Sequence, residues 1–249
     1  MIYIKSKEEI NKIERACRIV SEILEALRGE VRAGITTEYL DELAQLLATK
    51  RKVNLAFRGY RGFPKGICVS INDEVVHGIP SSRVIKEGDI VSIDVGICAE
   101  GYYGDGAVTV GVNGITEEAH QLISVTEACL YKGIEKAVVG NRLSDISHAI
   151  QTYAEAHHFS VIRDLTGHGI GKNLHEEPQV PNFGLPHNGP LLREGMVLAI
   201  EPMVSQGKWE VEIQSNGWTV VTRDHSLSAH FEHTVLIDCS GPRILTSLD

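Results

Sequence analysis

Three acidic residues fall where aliphatic strands leave little room for charge. Asp94 interrupts Ile90-Val-Ser-Ile-Asp-Val95, Glu201 closes Val197-Leu-Ala-Ile-Glu201, and Glu232 lies inside His230-Phe-Glu-His-Thr-Val-Leu-Ile237. Strand interiors disfavour Asp and Glu, which are seldom buried without a partner. Side chains alternate along a strand, so Ser92, Asp94 and Gly96 share one face, and His230, Glu232 and Thr234 share another. Each acid alone also fits a half-exposed strand facing water. Asp105 in Gly101-Tyr-Tyr-Gly-Asp-Gly106 and His168 in Gly167-His-Gly-Ile-Gly171 join them as polar residues in distinctive surroundings. Four carboxylates converging unaided repel, and some are forced to keep their protons. Two divalent cations would balance the four charges, and one imidazole would complete a mixed oxygen and nitrogen shell. That is the donor set of a hydrolytic two-metal site.

The elements that must bring these residues together are legible as helix and strand patterns. Ser6-x-x-Glu9 is a capping box, and it opens a helix with Ile10, Ile13, Cys17, Val20, Leu24 and Leu27 on one face. About 110 residues later Thr116-Glu-Glu opens another, with Leu122, Val125, Cys129 and Ile134 aligned. The pair Ala16-Cys17 recurs as Ala128-Cys129, and further amphipathic helices start at Thr36 and Ser144. The pattern predicts either a duplicated α+β half or a coincidence between similar amphipathic helices. Strands are predicted at 67–71, 90–95 and 107–112, then at 197–201, 218–222 and 230–237. The expected fold class is α+β, with helices over one face of a mainly antiparallel sheet and the other face free for a site.

Composition narrows the function classes. The chain has 249 residues, 33 acidic and 24 basic, for a net charge of −9, with 43% apolar and 23% charged residues. These are the proportions of a folded globular protein. An acidic balance without a Lys/Arg stripe argues against nucleic acid as the main partner. No apolar run approaches the ~18 residues of a membrane span, and the start of the chain lacks a signal-peptide core. The five scattered cysteines, Cys17, Cys68, Cys98, Cys129 and Cys239, form no CxxC and read as reduced thiols in the cytoplasm.

The spacing Asp94, Asp105, His168, Glu201, Glu232 resembles that of the type I methionine aminopeptidases, and the resemblance runs through essentially the whole chain. Its local phrases are Gly59-Tyr-Arg-Gly-Phe-Pro-Lys65, Ser70-Ile-Asn-Asp-Glu-Val-Val-His-Gly-Ile-Pro80, Gly167-His-Gly-Ile-Gly171, His175-Glu-Glu-Pro178, Ile200-Glu-Pro-Met203 and Glu232-His-Thr234. The resemblance implies the pita-bread fold, a single catalytic domain of two pseudo-symmetric halves at roughly 1–112 and 113–249. It also implies removal of an N-terminal methionine when the second residue is small, by attack of a dimetal-bound hydroxide on the first peptide bond. Asp94 would hold one metal, Asp105 and Glu232 would bridge both, and His168 and Glu201 would hold the other, with Glu201 also the proton acceptor. Mn, Fe, Co and Zn all suit that set. His175 would donate to the scissile carbonyl oxygen and His77 would touch the substrate's backbone nitrogen. Phe57, Tyr60, Phe63, Cys68, Leu174 and Trp218 would form the pocket for the methionine side chain. The expected partners are N-terminal methionine peptides and nascent polypeptides, with transient ribosome association and a monomeric enzyme.

Four positions depart from the family pattern. Leu174 stands where an aromatic residue is common, and His230 stands for a frequent Gln. Gly96 and Gly106 stand where hydroxyl residues often occur, so a weakened metal site is expected there. Two other readings compete. Proline-specific relatives of the same fold carry a His four residues before the metal His, and here that position is Asp164. Non-catalytic members of the fold lack the metal ligands, all five of which are present here. Type II enzymes carry a helical insertion between the metal His and the last Glu, and only 63 residues separate His168 from Glu232.

Overall fold

The computed structural model describes residues 1–248. In chain order it runs through helices α1 (Lys7–Glu30) and α2 (Thr37–Lys50), then strands β1 (Asn54–Leu55), β2 (Cys68–Ile71), β3 (Glu74–Val76), β4 (Ile90–Ala99) and β5 (Tyr102–Gly111). Helices α3 (Glu117–Ile134) and α4 (Leu143–Ala156) follow, then β6 (Ser160–Val161), β7 (Thr166–Gly169), β8 (Glu176–Pro181), β9 (Val197–Ile200) and β10 (Met203–Ser205). The chain ends with β11 (Val211–Ile213), β12 (Val220–Thr222), β13 (Ser228–His230), β14 (Glu232–Asp238) and β15 (Gly241–Ile244). Three of the four helices start at a residue whose side chain caps them. Ser6 and Glu9 form the capping box of α1, and the hydroxyls of Thr36 and Thr116 accept backbone N–H groups at the starts of α2 and α3.

One antiparallel sheet in the order β1-β4-β5-β14-β9-β7-β8 forms the centre, with β2 also on β4 and β15 also on β14. Burial of apolar side chains fixes all four helices on one face. Ala16, Val20, Ile23 and Leu27 of α1, with Leu40, Ala44 and Ala48 of α2, pack on Val91, Ile93, Val95 and Ile97 of β4. Leu122, Val125 and Cys129 of α3, with Ile146 and Ile150 of α4, pack with Leu198, Ile200, Val235 and Ile237. The odd-numbered residues of β4 therefore go to the core, and Ser92, Asp94 and Gly96 go to the helix-free face.

Three of the predicted strands differ from the sequence expectation. β4 and β5 are ten-residue partners joined at Glu100-Gly101, so Asp105 lies inside a strand and not in the turn before one. Gly104 and Gly106 mask that strand in the sequence, and α1 explains them. A Cβ on Gly104 would stand 2.7 Å from the Cys17 nitrogen, and one on Gly106 would stand 3.2 Å from Cγ1 of Val20. The predicted strand 230–237 is interrupted at Phe231. His230 belongs to β13, paired with β10, whereas Glu232 opens β14, paired with β5 and β9. Gly104→Ala should push α1 off β5 and cost about 1–3 kcal/mol of stability, measurable by urea denaturation.

Candidate metal centre and substrate cleft

Register places the five candidate ligands in two neighbouring rows on the helix-free face. Asp94 of β4 and Glu232 of β14 both pair with Ala107 of β5, and Glu201 follows Ile200, the partner of His233. In the next row Asp105 pairs with Gly96, while Thr234 and His168 both pair with Ala199. Small residues thus separate the ligands and leave space above the sheet. Hydrogen bonds fix the second row, since the Thr234 hydroxyl accepts from the Asp105 N–H at 3.1 Å and donates to its carbonyl at 2.8 Å. Nε2 of His168 lies 3.9 Å from Asp105 and 3.6 Å from Glu201. Ligand atoms of Asp105, His168 and Glu232 lie within 4.8 Å of one another.

The electrostatics of this cluster are those of a site short of positive charge. Burial, then the Asp105 and Glu201 charges, hold the Asp94 carboxyl well above its ordinary range, and burial lifts Asp105 to about 7. Burial, then the Asp105 charge, also raises Glu201 and Glu232 strongly. Oδ1 of Asp94 and Oε1 of Glu232 are buried without any hydrogen-bond partner. Buried acceptors are normally satisfied, so these two need a donor or a cation. His168 is tuned in the complementary direction. Burial lowers its pKa to about 4, and Nδ1 lies 2.9 Å from the Gly169 carbonyl. A neutral ring donating through Nδ1 turns the Nε2 lone pair towards the carboxylates, as metal-bound imidazoles do. The donor set therefore fits divalent cations.

All thirteen residues singled out in the sequence line one cavity of about 140 Å³. Its floor holds Asp94, Asp105, His168, Glu201 and Glu232. Phe57, Phe63, Cys68 and Leu174 are buried on its apolar wall, with Trp218 edge-on to Phe63 at 5.2 Å. His77 and His175 line it too. His77 has φ of 58°, in the left-handed region that residues other than glycine adopt uncommonly. His175 stacks on Tyr60 at 5.2 Å, with Nδ1 2.8 Å from the Tyr60 hydroxyl.

The departures from the family pattern find local explanations. A Cβ on Gly96 would stand 2.5 Å from Cε1 of Phe57, so glycine here lets that ring close the cavity wall. Gly106 faces α1, away from the site, while its N–H donates to Oδ1 of Asp105 at 3.1 Å. Neither position offers a hydroxyl towards the candidate ligands, and neither leaves free space for a side chain. His230 lies buried behind the site with Nε2 3.6 Å from Glu201. His233 points to the helix side and contacts the Thr246 hydroxyl and the Tyr131 ring.

Several supporting residues gave no signal in the sequence. Asn182 donates to the Glu201 carbonyl at 3.1 Å. Lys5 and Glu176 form a buried ion pair at 2.6 Å beside the loop that carries Leu174 and His175. Arg61 also lines the cavity. It lies inside the quoted phrase Gly59–Lys65, and only its position next to Tyr60 could have singled it out.

The fold and the donor set define a metal-dependent hydrolase of the pita-bread class. The chain belongs to metallopeptidase family M24, whose model matches residues 11–238, and within it to the methionine aminopeptidases. It is 53% identical to the methionine aminopeptidase of Clostridium perfringens, over 99% of both chains. Methionine aminopeptidase 1 of Bacillus subtilis is 50% identical, again over 99% of each chain. The crystal structure of the Thermotoga maritima methionine aminopeptidase superposes with a TM-score of 0.98 at 48% identity, covering 99% of this chain and all of that one. A prolidase from Pyrococcus horikoshii shares the fold alone, with a TM-score of 0.77 at 23% identity over 99% of this chain and 64% of its own.

The buried titrations make stability depend on pH and metal together. Buried His168, His175, His230 and His233 have lowered pKa values, so below about pH 7.5 the unfolded chain binds more protons at these residues and they add an opposing slope, which fades above that pH. The metal-free folded chain still holds carboxyl protons that the unfolded chain has released, so its stability falls as pH rises, by about 1.4 kcal/mol per pH unit for each such proton. The Tm in chelator should drop between about pH 7.5 and 8.5, where the histidines no longer contribute, and excess Mn²⁺ should raise it and flatten the slope. A Tm in chelator that is level across this range would contradict the assignment.

Proposed function

We propose that the chain removes the N-terminal methionine of peptides and nascent polypeptides whose second residue is small, using two divalent cations drawn from Mn, Fe, Co or Zn. One observation carries this reading: an apolar-walled pocket and two histidines open onto a buried cluster of four carboxylates and one imidazole. Asp94, Asp105, His168, Glu201 and Glu232 would hold the cations. Bound there, they supply an acidified water and polarise the scissile carbonyl.

The protein's own groups perform the rest. Phe57, Phe63, Cys68, Leu174 and Trp218 take the unbranched thioether, for which soft sulfur and aromatic edges are suitable neighbours. Partial desolvation, then the charges of His168, Arg61 and His77, lower the pKa of His175 and keep its ring neutral. With the Tyr60 hydroxyl donating to Nδ1, the ring proton sits on Nε2. From there it can be donated to the carbonyl oxygen as negative charge develops. His77 contacts the backbone nitrogen of the substrate. Glu201 accepts a proton from the attacking water and passes it to the departing amine.

The chain acts as one catalytic domain with halves at roughly 1–112 and 113–249, as a monomer in the cytoplasm, meeting nascent chains at the ribosome. Among the described residues no helix is long and apolar enough to cross a membrane. Free methionine should be released from Met-Ala-Ser and not from Met-Leu-Ser once a divalent metal is restored to stripped protein. Glu201→Gln should abolish release, and His175→Ala should lower kcat by about 10²–10³-fold, as the loss of an oxyanion donor does. Cleavage of Xaa-Pro peptides instead would move the chain to the proline-specific branch. Co-sedimentation with ribosomes carrying Met-Ala nascent chains tests the last element of the proposal.

A further inference from the structure

Arg61 is the one basic side chain, apart from the histidines, on the wall of a cavity that otherwise gathers carboxylates. Its backbone is unusual. φ and ψ are 50° and 20°, in the left-handed region, between Gly59 at φ of 82° and Gly62 at φ of 91°. Non-glycine residues rarely adopt that conformation, and such strain concentrates at functional sites. Short backbone hydrogen bonds lock the turn, from Gly59 N–H to the Phe63 carbonyl at 2.8 Å and from Phe63 N–H to the Tyr60 carbonyl at 2.9 Å. The guanidinium stands over the Tyr60 ring at 5.4 Å, and Tyr60 in turn stacks on His175. Among the described residues Arg61 makes no ion pair.

Position and charge together assign it a ligand. Arg61 is exposed, so it lies at the mouth of the cavity, on the side where His175 stands. The pocket takes the first residue of a substrate, and the chain beyond the scissile bond must leave through the mouth. Two divalent cations would neutralise the four carboxylates, leaving Arg61 as an uncompensated charge beside the exit. A guanidinium is suited to a carboxylate, which it can meet with two parallel N–H donors. We propose that Arg61 forms a subsite for a carboxylate on the substrate just beyond the small second residue. That carboxylate belongs either to an acidic side chain at the third position or to the terminus of a short peptide. The proposal rests on the aminopeptidase reading above, and it adds a selection by charge that the apolar pocket cannot make. A merely structural role, shielding the face of Tyr60, would be indifferent to substrate charge.

The test compares kcat/KM for the amidated peptides Met-Ala-Asp-Ser, Met-Ala-Asn-Ser and Met-Ala-Lys-Ser, with Met-Ala-Ser as free acid and as amide to separate the two sources of carboxylate. An exposed pair of this kind should favour Asp over Lys by about two- to fivefold at low salt. Most of that preference should lie in KM, and it should shrink towards unity in 0.5 M NaCl. Arg61→Asn, chosen because Asn tolerates left-handed backbone, should bring the ratio to about one, and Arg61→Glu should invert it. Arg61→Lys should keep the sign. Equal cleavage of the Asp and Lys peptides by the unmodified protein would overturn the proposal, as would a ratio unchanged in Arg61→Asn. The salt dependence needs no variant, so a misfolded mutant cannot shelter the idea. Failure to cut even the neutral Asn peptide would overturn the aminopeptidase reading itself, and the subsite with it.

Discussion

Four carboxylates held in a dry site repel one another, and much of the arrangement around them follows from that constraint. Left alone, Asp94, Asp105, Glu201 and Glu232 are pushed towards their neutral forms by burial and by one another. Replacing those protons by divalent cations would turn an unfavourable cluster into a binding site. The neutral imidazole of His168 belongs to the same balance, because a protonated ring could not donate a lone pair. The protein supplies rigid backbone for ligands that would otherwise swing apart. Every one of them sits on a strand or immediately beside one.

The sheet achieves this by joining two strand pairs side by side. β4 and β5 carry two acids, β9 and β14 lead the other two to the same face, and pairing between β5 and β14 aligns the rows. Helices on the far side absorb the aliphatic residues, which fixes which face each acid must occupy. A slip of one residue between β5 and β14 would turn Glu232 into the core, so hydrophobic patterning specifies the catalytic register as much as the fold. Glycines contribute by what they leave out. Gly104 admits α1 close to the strand bearing Asp105, and Gly96 admits the Phe57 ring.

Much of this was legible in the sequence because charge in an aliphatic strand is conspicuous. Asp94, Glu201 and Glu232 announced themselves that way, and Asp105 and His168 followed from their glycine-rich surroundings. The four helices were readable from caps and apolar spacing. The full length of β4 and β5 was not, since Gly104 and Gly106 look like turn residues until the crossing of α1 explains them. The break at Phe231 was equally hidden, because strand pairing with different sheets leaves no local mark on His230-Phe-Glu232. Asn182 and the Lys5–Glu176 pair act through partners elsewhere in the chain, and nothing in their immediate neighbours points to those partners.

The most direct test is calorimetric titration of metal-free protein with Mn²⁺ at pH 7, repeated in buffers of different ionisation enthalpy so that proton release is measured beside stoichiometry. Two ions should bind per chain, and protons should be released as cations displace them from the buried carboxyls. Glu232→Ala should lower the stoichiometry. Binding of no ion, or of two ions with no proton release, would contradict the account of a charge cluster that holds protons until metal arrives.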